Sequence, residues 1–142
     1  MVNRDVAAEK LAQLALRLNR VRTHAKGSAA ELAADADATD LVSFNLMVAI
    51  QNCLDLASHI ISDAQWPPVR TLGEAFVRLC EHGVISSDAA SSMQRAAGFR
   101  KVIAHGYANV DVAIVHRAAT TGVEDVQRFA HEVALWLERR GA

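Results

Sequence analysis

"LVSFNLMVAIQNCLDLASHIIS", residues 41–62, is apolar around most of its circumference when wound as a helix. Its polar residues are not scattered. Asn45, Asn52, Asp55, His59 and Ser62 follow one another at steps of seven, three, four and three, which places them on one narrow helical stripe. A helix this apolar belongs at the centre of a helical domain, so the stripe faces either solvent or a polar cleft. Asp55 and His59, four residues apart, are placed to pair, which would favour the imidazolium. On a helix surface such a pair carries little energy.

The same helical period recurs on either side. Residues 3–25 set Val6, Leu11, Leu14, Leu18 and Val21 at steps of three, four and five, with Arg4, Lys10, Arg17 and Arg20 on other faces and Gly27 placed to end the helix. "SAAE" (28–31) has the spacing of a capping box and predicts a short helix. The long helix is expected from about 37 to 64, stopped by "WPPV" (66–69), because proline lacks an N–H and disfavours helix in the residue before it. Thr71, with Glu74 three residues on, predicts a helix over 72–82 with Gly83 just past its end. "ISSDAA" opens another, from about 87 to 104, which Gly106 is placed to end. Residues 109–140 read as helix with a break near "TTG" (120–122), and Val126, Phe129, Val133, Trp136 and Leu137 form its apolar face.

Composition agrees. Hydrophobic residues make up 51% of the 142 but aromatics only 5%, which suits close helix packing. Repeats, linkers and hairpin turn signals are missing, so residues 1–142 are expected to form one all-α domain, an antiparallel bundle of four to six helices. Fifteen basic against sixteen acidic residues give a net charge of −1, so any attraction for nucleic acid rests on a local patch. Cys53 and Cys80 lie in apolar segments with no C-x-x-C pair, and read as reduced core thiols. "MVNRDVAAEK" lacks the apolar run of a signal peptide, and the longest unbroken apolar stretch, "LMVAI" (46–50), is too short to span a bilayer. A cytoplasmic protein with no membrane contact is expected.

"FRKVIAHGYANVD" (99–111) gathers Arg100, His105 and Tyr107 within eight residues. On a straight helix residues 100 and 107 lie within about 20° of each other, whereas 105 is about 140° away from 100. A shared site therefore needs a helix that unwinds near Gly106, or a second chain across a two-fold axis. Arginine offers a fixed fork of donors that matches phosphate, and histidine moves protons near neutrality. Such a pair can cleave RNA without metal, the histidine working at the ribose 2′-OH and the arginine on the phosphoryl oxygens. The bland alternative is that Arg and His near a helix C-terminus complement its dipole and that Tyr107 is an amphipathic edge residue.

The spacing Arg100-x4-His105-x-Tyr107 resembles the R-x4-H-x-Y motif of HepT-like toxins of the HEPN superfamily. "IQNCLDLASHII" (50–61) is similar to that family's long second helix. "WPPVRTLGEAFVRLCEHGVIS" (66–86) is similar to its Pro-containing turn and following helix, and "MQRAAGFRKVIAHGYANVD" (93–111) to its motif helix. The resemblance implies a helical homodimer with the motif in a cleft at the interface, acting as a metal-independent, cofactor-free endoribonuclease toxin on RNA. It also implies an MNT-type nucleotidyltransferase antitoxin that moves AMP from ATP onto the motif tyrosine. Carried over, Arg100 and His105 are catalytic and Tyr107 is the modified residue. Lys101 stands where asparagine is common, exchanging an amide for a mobile cation. Lys101, Asp55 and His59 are then candidates to line the cleft. Two other readings are a non-catalytic nucleotide-binding or regulatory partner of a nucleotidyltransferase, and a purely structural helical dimer.

Overall fold

The computed structural model describes residues 2–106 and 111–141, the side chains at 105, 106 and 141 excepted. The described residues are all helical or connecting: α1 (Arg4–His24), α2 (Ala29–Ala33), α3 (Ala36–Asp63), α4 (Glu74–Glu81), α5 (Ser87–Gly106), α6 (Val112–Arg117), a π-helical turn (Ala118–Gly122) and α7 (Val123–Gly141).

Each helix but α7, which follows the π turn directly, starts near a side-chain oxygen that takes one of its first free N–H groups. Asn3 Oδ1 accepts from Asp5 and Val6 N–H, Ser28 Oγ from Glu31, Asp35 Oδ1 from Ala38, and Asp111 Oδ1 from Ala113. Ser86 Oγ accepts from Ala89 N, so α5 is capped one residue before its first helical position. Thr71 Oγ1 accepts from Glu74 N as expected, but the Glu74 carboxylate takes Arg70 N–H, and α4 begins at Glu74 rather than 72. Gly83, at φ +76°, ends α4 in the left-handed region as expected. Two ends differ from expectation. α1 is turned by Lys26, at φ +65°, before Gly27 is reached, and α3 by Gln65, at φ +59°, before the prolines.

α3 is the central element. It is long and apolar enough by composition to cross a bilayer, although no five-residue run within it suggests so, and more than half of its most apolar window is buried inside the bundle. Burial against neighbouring helices accounts for that apolarity. α1 lies antiparallel to it: Asn3 N donates to Asp63 Oδ2 at one end (2.9 Å) and Arg17 Nη1 to Asn45 Oδ1 at the other (3.1 Å). α5 and α7 are likewise antiparallel, with Ser86 N on Glu132 Oε1 and Arg128 Nη2 on Ser92 Oγ. Phe76 of α4 meets Phe129 of α7 edge to face at 5.3 Å. Trp66, after α3, stacks on His82 at 3.9 Å and meets Trp136 edge-on at 6.0 Å.

The expected break at 120–122 is not a break. The chain stays helical and widens into a π turn over Ala118–Gly122, which absorbs one extra residue and lets α6 run on into α7. Every residue expected on the apolar face of α7 is buried.

Candidate active site

α5 carries the motif. Its inward face is apolar: Ala89 and Met93 are fully buried and Ala96 and Ala97 half-buried. Arg100 follows Met93 by seven residues and Ala96 by four, so it continues that inward line into the last turns of the helix. The side chain is half-buried, its Nε is shielded from solvent, and among the described residues nothing accepts from it. A guanidinium with an inner donor that no described residue engages can take an acceptor there. Lys101 and Val102 stand exposed, and Ile103 turns fully inward.

The helix does not unwind before Gly106. Backbone position 105 therefore stays about 140° round from Arg100. It shares its side of α5 with Ser87, Gln94, Gly98 and Lys101, all exposed. Within one chain the two backbone positions thus lie about 140° apart around one helix. The side chain of His105 and all of Tyr107 lie outside the described residues.

The polar stripe of α3 is not a single surface. Asn45 is buried in the α1 interface, accepting from Arg17 and donating its Nδ2 to Leu41 O (2.8 Å). Asp55 is exposed and accepts from Gln51 Nε2 at 2.8 Å. His59 is paired not with Asp55, as the spacing allowed, but with Asp63: Nε2 lies 3.1 Å from Oδ2, in ion-pair reach though without the angle of a hydrogen bond. The same Asp63 carboxylate takes the N–H of Asn3, the cap of α1. Among the described residues no hydrogen bond or ion pair joins Asp55 or His59 to Arg100.

Cys53 is fully buried, and burial pushes its thiol far above the ordinary range, so it is an inert core residue.

Sequence reasoning passed over one concavity. Between α3, α5 and the π turn lies a cavity of about 250 Å³ walled by Leu46, Phe99 and Ile114, with Arg95 and Arg117 at its edge. Its signal was present in the spacing of Ile114, Arg117, Ala118 and Thr121, but the expected break at 120–122 obscured it.

The model of the family described as ribonuclease HepT-like matches residues 7–133. The mRNA nuclease HepT of Shewanella oneidensis is 22% identical over 125 residues, 88% of this chain and 93% of that protein. Among solved structures, the tri-AMPylated Shewanella oneidensis HEPN toxin in complex with MNT antitoxin superposes with a TM-score of 0.84 at 21% identity, over 92% of this chain and 98% of that one. YutE, a cytosolic protein of unknown function from Bacillus subtilis, superposes with a TM-score of 0.85 at 14% identity, over 98% of this chain and 93% of its own. Similarity at these identities speaks for a common fold.

Proposed function

The chain belongs to the ribonuclease HepT-like family, and from that premise we propose that it is the endoribonuclease toxin of a toxin–antitoxin pair, with its active site built by two copies across a two-fold axis. The observation that carries the site is Arg100. It holds the arginine position of R-x4-H-x-Y with its inner donor uncommitted, on a helix whose phase turns position 105 away from it. A second copy resolves that opposition, because a two-fold axis places each motif helix opposite its mate and doubles every group.

In this reading the guanidinium of Arg100 binds the non-bridging oxygens of the scissile phosphate and stabilises the charge that builds there as the ribose 2′-oxygen attacks. One His105 takes the 2′-OH proton. The other, protonated, gives one to the departing 5′-oxygen. Lys101, exposed beside Arg100, and Asp55, exposed on α3, line the cleft; the Lys101 ammonium adds to its attraction for the RNA backbone. His59, held by Asp63, borders the cleft through that pair rather than acting in the chemistry.

Control falls to Tyr107. The Shewanella toxin is tri-AMPylated and in complex with an MNT antitoxin. By analogy, an MNT-type nucleotidyltransferase in the cytoplasm transfers AMP to the Tyr107 hydroxyl of this chain, releasing pyrophosphate from ATP and placing a phosphodiester beside the catalytic arginine. The test is a pair of measurements. Purified His105→Ala should remain a folded dimer and lose RNA cleavage; cleavage persisting in that dimer sinks the catalytic assignment. Intact mass after co-expression with the nucleotidyltransferase should rise in steps of one AMP, and the steps should vanish in Tyr107→Phe. Resistance of every RNA tested to the unmodified protein, with nucleotide binding retained, would favour the non-catalytic reading instead.

A further inference from the structure

The cavity between α3, α5 and the π turn shares its α5 wall with the motif: Phe99 is the residue before Arg100, and Ala96 lies one turn before it on the same helix. Its volume, about 250 Å³, falls just below the ~300–1,000 Å³ usual for small-ligand pockets. That is room for one aromatic ring system and little more. Leu46, Phe99 and Ile114 form apolar walls, and Ile114 is 46% exposed among the described residues. The Arg117 side chain has no hydrogen-bond or ion-pair partner among the described residues, and the Arg95 side chain has only Ser92 Oγ, at 3.3 Å. The acidic lining residue, Asp125, is balanced by Arg128 at 3.7 Å. The rim is thus net cationic, the floor apolar, and one carboxylate stands as an acceptor. The π turn sets Thr121 and Gly122 on this wall, and single π turns recur at functional sites.

We propose that this cavity holds one unpaired base of the substrate RNA and sets the sequence preference of cleavage. The inference rests on the ribonuclease reading given above. Single-stranded RNA is recognised by splaying out a base against aromatic and apolar side chains while cations hold its phosphate. Here Phe99 and Ile114 flank the base, and Arg95 and Arg117 take the adjoining phosphate. The Asp125 carboxylate accepts from an exocyclic amine, which favours cytosine, adenine or guanine over uracil.

The test uses the purified full-length protein and end-labelled oligoribonucleotides that differ at single positions around one cut. The wild type should require an amine-bearing base at one position. Asp125→Ala should flatten that preference by roughly tenfold. Arg117→Glu should raise KM by roughly tenfold and weaken its salt dependence, since one phosphate contact is lost. Both residues are at least partly exposed, and thermal unfolding of each variant verifies the fold. If the wild type cuts RNA and both variants keep its site choice and KM, the pocket assignment falls while the ribonuclease reading stands. If Arg117→Glu disrupts self-association with cutting preference unchanged, the cavity belongs to a second copy and the proposal is overturned. A wild type that cuts no RNA overturns the ribonuclease reading itself, and the base pocket with it.

Discussion

Replacing Arg100 with Met should make the protein more stable and less active. The inner Nε of Arg100 is buried without an acceptor among the described residues. An unsatisfied buried donor costs about 1–3 kcal/mol, and the lower end applies here because the side chain is only half-buried. Methionine keeps the flexible apolar stem and removes the donor. At ~2.1 cal/mol/K per residue, unfolding a chain of this length carries an entropy of about 0.3 kcal/mol/K, so 1 kcal/mol corresponds to about 3 °C. Calorimetry in the absence of RNA should show Tm rising by about that amount. Cleavage should fall by about 10²–10³-fold, as on losing a donor to a developing oxyanion. A variant whose Tm drops by several degrees would mean that the guanidinium holds the fold together. One that cleaves RNA at the wild-type rate would remove Arg100 from the site.

Three further outcomes follow from the packing. Iodoacetamide on the native protein should label half-buried Cys80 and spare Cys53, whose buried thiol stays protonated; labelling of native Cys53 at a comparable rate would contradict its burial. Asp35 has its carboxyl held below the ordinary range, first by the Ala38 N–H and then by Lys26, so its charge stabilises the fold above the unfolded carboxylate range and the benefit fades as pH falls through the lower folded value. Asp35→Asn should therefore lower Tm at pH 7, and thermal scans should show the gap narrowing as pH falls below the ordinary carboxylate range. Gly83→Ala forces a side chain into the left-handed region at φ +76° and should cost about 1–2 kcal/mol, read from the urea midpoint; an unchanged midpoint would show that the turn relaxes.

Much of the bundle is legible in local patterns. The stretch 41–62 announces a core helix because apolar residues on most faces need burial, and more than half of the apolar window of α3 is buried. Caps at Ser28, Thr71 and Gly83 act where short-range chemistry places them, since a hydroxyl or a glycine there answers backbone groups within three or four residues. One of the ends that differ is an end where distant groups intervene. The chain turns at Lys26, whose ammonium meets Asp35 at 3.3 Å and whose carbonyl accepts from His116 Nε2 at 3.1 Å, contacts that spacing along α1 does not reveal.

The polar stripe shows the same division. Five polar residues on one helical line look alike in sequence, but their partners come from other helices or other turns. Asn45 is claimed by Arg17, Asp55 by Gln51, and His59 by Asp63, which in turn holds the start of α1.

By itself the sequence determined that this is an all-α chain carrying Arg100, His105 and Tyr107 at a family's spacing, because helical period, caps and motif are all read within a few turns of one segment. Only the tertiary structure decided that α5 stays helical through Gly106, that no described residue engages the inner donor of Arg100, and that a π turn runs where a break was expected and walls a cavity beside the motif helix. Those features depend on which side chains meet across helices far apart in the chain, and helix periodicity carries no record of that.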